Sequence, residues 1–274
     1  MKRAVLYTCA VVAVLMILST VAMADLTITP VRVVFEGRDR SAVVELINET
    51  DHVNTYRMTW VHMKAKPEGG YEMDNLKQED KNPFSVDSMV VFTPRQVTIE
   101  PHGHQIVRLS LRRPENLPAG EYRAHMAMTR MANEEKHPQD PAAEGVELSM
   151  NVNLGFSIPV IVRSGDDKDL KISLNAPKLQ IGPNKKPELY IQVNRDAGKF
   201  SSYGTLKVSW QPPKGAEKEI GVLSNVALFP ELPQRQVIIP LRDNPTSGSL
   251  KVVYLGKYES DGKTWAETTF PIGK

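Results

Sequence analysis

Residues 146–162 read VELSMNVNLGFSIPVIV. Apolar side chains take every second place: Val146, Leu148, Met150, Val152, Leu154, Phe156, Ile158 and Val160. Glu147, Ser149, Asn151, Asn153, Gly155, Ser157 and Pro159 fill the places between. Successive side chains of a strand point to opposite sides, so this alternation specifies an extended strand with one apolar face. Such a run reaches ~50 Å, against ~17–20 Å for an ordinary strand. One simple account is a long hairpin arm packed on its own sheet. The sharper account starts from length, because a small sandwich covers only part of a strand this long. The remainder would show solvent an apolar row and unpaired backbone, a hazard that proteins usually blunt with charge. Glu147 is the one charge between Val146 and Val162. A long edge of this kind either aggregates or adds a strand to a partner. Before it, residues 132–145 are polar and rich in Pro, Glu and Asp, which reads as a long flexible loop.

The same period of two runs through the rest of the chain. Upstream, short apolar and β-branched runs occur at 26–35, 42–47, 56–63, 89–92, 97–99, 106–111 and 122–131. Turn-forming clusters at 36–39, 48–51, 67–70, 100–103 and 118–120 separate them. Residues 164–168 are short and polar and read as a linker. Beyond them come runs at 170–174, 189–193, 206–210, 220–229, 236–241, 250–258 and 265–271. Asp261-Gly262-Lys263 between the last two reads as a hairpin turn. No segment of helical length keeps a 3.6-residue apolar stripe. The expected fold is all-β: two tandem immunoglobulin-like sandwiches, at 25–163 and 169–274. The chain has 274 residues, 41% of them hydrophobic, enough for two packed cores.

Residues 1–24 stand apart. Lys2 and Arg3 precede an uncharged stretch that ends Ala22-Met23-Ala24, a small-x-small cleavage pattern. This reads as a secretory signal cleaved after Ala24, with an uncleaved anchor as the alternative for so long an apolar run. Cleavage removes Cys9, the single cysteine, so the mature chain has no disulfide framework. It also removes Lys2 and Arg3 from the 34 basic residues, leaving 32 against 32 acidic ones. A neutral total excludes a general nucleic-acid or anionic-membrane binder. His102-Gly103-His104 lacks a carboxylate cluster beyond Glu100 and reads as a turn, and His52, His62, His125 and His137 are scattered. No nucleophile elbow or phosphate-cradling loop occurs, and no Glu-x-x-His pairing marks a metalloenzyme. Neither metal, cofactor nor enzymatic activity is expected. Met58, Met63, Met126, Met128 and Met131 read as core or interface residues.

Several stretches resemble the periplasmic (PapD-like) chaperones of the chaperone–usher pilus pathway, in their non-classical branch. They are Val31-Arg32-Val33-Val34-Phe35-Glu36-Gly37, Phe92-Thr93-Pro94-Arg95 with Val97 to Gly103, and Ile106-Val107-Arg108-Leu109. Leu117 to Met126 and Ser157 to Arg163 complete the match, which covers most of 26–163. The resemblance implies two sandwiches in an L and a periplasmic location. It implies a protein that lends its long strand to an incomplete pilin or fimbrial subunit and delivers it to an outer-membrane usher. Val146, Leu148, Met150, Val152, Leu154, Phe156 and Ile158 would then fill the subunit's groove. By position, Arg32 maps onto the arginine that holds the subunit's terminal carboxylate, a role suited to a guanidinium fork. Many members carry a second, lysine anchor on the long strand. No lysine lies between Val146 and Arg163, so either Arg163 or another basic group substitutes, or carboxylate anchoring is weaker than in the better-known members; the alternative for Arg163 is a salt bridge that fixes the interdomain angle. The alternative reading is a structural or adhesive surface protein built of tandem sandwiches. A free edge of this kind also favours self-association at high concentration.

Overall fold

The computed structural model describes residues 25–73, 85–131 and 155–273. The expectations for 1–24 and 132–154, including Val146, Leu148, Met150, Val152 and Leu154, therefore fall outside the described residues. Among the described residues, eleven strands form the first unit: β1 (Leu26–Thr29), β2 (Val33–Phe35), β3 (Ser41–Asn48), β4 (Asn54–Val61), β5 (Met63–Ala65), β6 (Tyr71–Met73), β7 (Val90–Thr93), β8 (Gln96–Ile99), β9 (His104–Leu111), β10 (Gly120–Arg130) and β11 (Gly155–Ser164). A four-residue helix, α1 (Val86–Met89), leads into β7. One sheet has the order β1-β3-β9-β7 and the other β2-β11-β10-β4-β8, with β5 and β6 paired as a separate hairpin.

Alternation explains the packing. In β9, Val107, Leu109 and Leu111 are buried while Arg108 and Ser110 face solvent. Phe35, Val44, Leu46, Tyr56, Met126, Met128 and Val160 join them in one core between the sheets. The run at 26–35, expected as one strand, is two. Pro30 has no N–H for a ladder, and the chain breaks there. β1 pairs with β3 in one sheet, and β2 pairs with β11 in the other.

The second unit comprises β12 (Lys171–Ile181), β13 (Pro187–Ala197), β14 (Ser202–Gln211), β15 (Lys218–Leu228), β16 (Gln234–Pro240), β17 (Gly248–Gly256) and β18 (Thr264–Ile272). The order β12-β13-β16 faces β15-β14-β17-β18 over a core that includes Leu189, Ile191, Leu206, Val208, Leu250 and Val252. Tyr254 is wholly buried here, and its hydroxyl donates to the Val226 carbonyl at 2.9 Å. Both units are thus β-sandwiches, as the alternating runs led one to expect.

A buried amide pins one end of the first sandwich. Asn48, at the end of β3, donates from Nδ2 to the carbonyls of His52, Ile99 and Glu100 at 2.7, 3.1 and 3.1 Å. Its Oδ1 accepts from Thr50 Oγ1 at 2.8 Å and Asn54 Nδ2 at 2.9 Å. Stranding those buried partners costs far more than the bonds contribute net. Asn48→Ala is expected to lose on the order of 3 kcal/mol of stability, read from urea denaturation; a loss within ~0.5 kcal/mol would mean the turn is held by something else.

Candidate functional site: the free reach of β11 and the arginine junction

Strand β11 changes character along its length. On one side it pairs with β10 from Gly155↔Thr129 to Ser164↔Gly120. On the other, β2 covers only Val160, Ile161 and Val162, in a parallel ladder. Among the described residues, no strand pairs with Gly155–Pro159 on that side. Pro159 has no N–H to lose, which suits an edge position.

Burial fades in the same direction. Val160 is wholly buried and Ile158 is 3% exposed, whereas Phe156 is half-buried against the rim of the core. Ile158, expected to face a partner, is instead committed to its own core. The reason is register: Ile158 lies opposite Met126, itself wholly buried in the middle of β10. Burial of the apolar face of β11 thus falls from Ile158 to Phe156, the first apolar residue of the described strand.

The other end of β11 enters a junction between the two units. Arg163 is 8% exposed at its side chain. Its Nε donates to Glu121 Oε2 at 2.9 Å, and Nη1 pairs with Glu36. Its Nη2 reaches Glu259 Oε1 at 3.4 Å and both Ser201 oxygens at 3.5 Å. Glu121 is fully enclosed, and its Oε2 also accepts from Ser201 N at 3.0 Å and Oγ at 2.9 Å. Burial opposes the charge on Arg163, but Glu121, with Glu36 and Glu259, outweighs it and raises the pKa above the usual arginine value. Of the two expectations for Arg163, the interdomain salt bridge is the arrangement present. Its Nε, Nη1 and Nη2 each face a carboxylate of the chain itself.

Arg32 lies between β1 and β2, with its side chain 5% exposed. It sits over the Tyr203 ring, 4.6 Å from the centroid, and 6.0 Å from that of Tyr258. Nη2 donates to Glu259 Oε1 at 2.9 Å. Its buried Nε has no partner among the described residues. Arg32 and Arg163 are thus brought together on one carboxylate oxygen.

A second arginine–aromatic contact flanks this junction. Arg123 lies 3.6 Å from the Phe229 centroid and donates to the Met63 carbonyl at 3.2 Å and to Glu231 at 2.5 Å. The β5–β6 hairpin leans onto the second unit, where Gln236 N donates to the Pro67 carbonyl at 3.2 Å. Ala65, Tyr71, Tyr203, Phe229, Leu232 and Arg235 enclose a cavity of about 220 Å³ there. Sequence reading missed Glu36, Glu121, Glu259, Ser201 and Tyr203, because nothing in a period-two pattern marks which charged residues meet across a junction. Among the described residues, no group of three or more His, Cys, Asp or Glu side chains is arranged to hold a metal ion.

Solved structures similar to this chain include the YadV chaperone, 13% identical, with a TM-score of 0.48 over 91% of this chain and 100% of that one. The E. coli chaperone DraB is 15% identical, with a TM-score of 0.46 over 90% and 96%. A structure of the Salmonella enterica SafA pilin in complex with the SafB chaperone gives 10% identity and a TM-score of 0.45 over 92% and 99%. No family model and no curated protein matches the chain.

Two predictions follow from the charges. Glu121→Ala strips Arg163 of its one fully enclosed partner and strands both Ser201 donors, so it should cost about 3 kcal/mol. Glu36, whose carboxylate is 47% exposed, should cost at most about 1 kcal/mol when replaced by alanine. Equal falls in melting temperature would contradict the enclosed role of Glu121.

His125 supplies the other prediction. It is 2% exposed, neither ring nitrogen has a partner among the described residues, and the Tyr71 ring packs edge-on at 5.1 Å. Burial, then Arg123 and His62, lowers its pKa from 6.5 to about 4. The unfolded chain takes up this proton near pH 6.5, but the native chain only near pH 4. The native state therefore loses roughly 3 kcal/mol as pH falls through that window, and nothing further from this group below it. His125→Leu should flatten the difference between stabilities measured at pH 7 and pH 4.5; an unchanged slope would refute it.

Proposed function

We propose that this chain is an exported, non-enzymatic periplasmic chaperone that holds pilin or fimbrial subunits by lending them a strand. The supporting observation is that burial of the apolar face of β11 falls from Val160 to Phe156 while its outer edge stays unpaired over Gly155–Pro159 among the described residues. Val160 and Ile158 are buried, Phe156 is half-buried at the rim, and the sequence then continues the same face upstream. On this reading Val146, Leu148, Met150, Val152 and Leu154 fill a subunit's groove, and Phe156 marks the boundary. Alternate apolar side chains give strand addition its specificity, and the open backbone of Gly155–Pro159 gives it hydrogen bonds.

Arg32 takes the subunit's terminal carboxylate. It is a buried cation beside the same strand, carried by the segment that feeds β2, and an arginine fork binds a carboxylate with two parallel bonds. Delivery to an outer-membrane usher completes the proposed role, with residues 1–24 as the cleaved export signal.

Position along β11 makes the test discriminating. Val152→Asp with Leu154→Asp should abolish co-purification of a subunit from the periplasm while leaving the melting temperature within a few degrees, since both residues lie upstream of the rim. Ile158→Asp should instead unfold the first sandwich, because a charge would enter its core. Arg32→Ala should reduce capture at least tenfold, the scale of one charge-assisted bond. If subunit capture survives the paired aspartates, the strand-lending role is wrong.

A further inference from the structure

We infer that Glu259 is an internal stand-in for the carboxylate that Arg32 takes from a subunit, and that an arriving subunit displaces it onto Arg163. The inference rests on the proposed role of Arg32 and adds a regulating element to that site.

A guanidinium as enclosed as that of Arg32 cannot wait without a counter-charge, because an unpaired buried charge costs several kcal/mol. Glu259 supplies the charge, but incompletely. It engages Nη2 alone, at 2.9 Å, while the neighbouring Nε is buried without a partner among the described residues. One side of the fork is thus half used. A free carboxylate that met Nε and Nη2 together would make two bonds where Glu259 makes one.

The displaced carboxylate has somewhere to go. Glu259 Oε1 already lies 3.4 Å from Arg163 Nη2, about 0.5 Å beyond a good charge-assisted bond. A small shift toward Arg163 shortens that bond as the Arg32 contact opens. Glu36 and Glu121 also pair with Arg163, but only Glu259 forms a salt bridge with both arginines among the described residues. The turn that carries Glu259 is suited to moving. It spans Tyr258–Ser260 and is entered through Tyr258 at φ 56°, a left-handed conformation that a bulky residue adopts only under strain. Filling Arg32 from outside would thereby tighten the ion pair that joins the two sandwiches. By linkage, a tighter junction would favour the filled state equally.

Calorimetric titration of the purified protein tests this. The probes are a peptide of alternating threonine and valine, kept soluble by two N-terminal lysines and ending in a free carboxylate, and the same peptide as its C-terminal amide. Wild-type protein should bind the acid more tightly than the amide. Glu259→Gln, which keeps the shape and removes the competing charge, should bind the acid roughly fivefold to tenfold more tightly, the difference between a charged and a neutral hydrogen-bond partner. Its affinity for the amide should not change. Glu36→Gln removes one partner of Arg163 without touching Arg32 and should shift the ratio of acid to amide far less than Glu259→Gln does. The stand-in role is overturned if Glu259→Gln leaves acid binding unchanged or weaker, if it strengthens both peptides alike, or if Glu36→Gln raises the ratio as much. Should the wild-type protein not distinguish acid from amide, the carboxylate role of Arg32 itself fails, and the inference goes with it.

Discussion

A buried guanidinium must be matched on every side, and in this molecule that requirement falls on Arg163. Its three carboxylates come from the turn after β2, from the start of β10 and from the second sandwich. Leaving water costs each charge several kcal/mol, recovered only where geometry and further hydrogen bonds are good. Ser201 provides those further bonds, holding the enclosed oxygen of Glu121 with its N–H and its hydroxyl. The pair therefore says little for net stability but much for arrangement. Any other placement of the second sandwich would strip Glu259 and Ser201 from the cluster.

Strand β11 carries both the lock and the open edge, at opposite ends. At its downstream end Ile161, Val162 and Arg163 are buried in succession, so both faces are covered, as in the middle of a packed layer. At its upstream end Gly155 and Ser157 are exposed and the core-facing side is only half covered. A partner pairing with the upstream end would bind a rod clamped at the other end by three ion pairs. Rigidity of that kind lowers the ordering entropy lost on association.

Much of this was legible in the sequence because a strand's period is short. Alternation located β9, β10 and β11, as well as the seven strands of the second unit, while Met126 and Met128, read as core or interface, are wholly buried. It did not divide 26–35, since the break depends on which sheet receives each half. Nor did it mark the fall in burial from Ile158 to Phe156, because the alternation runs unchanged through both. The junction was least legible. Glu121, Glu259 and Glu36 meet Arg163 across 42, 96 and 127 positions of chain, and no local pattern encodes such a meeting. Arg32 was reached through resemblance, whereas its surroundings came only from the fold.

The two arginines show how similar side chains are set to different tasks by what satisfies their charge. Carboxylates hold Arg163 by its N–H donors, so its fork is closed. Arg32 rests on the faces of Tyr203 and Tyr258, which attract the cation through their ring electrons without occupying its N–H donors. Aromatic faces thus keep a buried cation tolerable without consuming the atoms that recognise a carboxylate. A full set of fixed acidic partners would make Arg32 another strut, and a wholly exposed position would leave its bonds in competition with water. Ring faces together with one displaceable carboxylate occupy the middle ground, where the charge is already desolvated and part of the fork remains open.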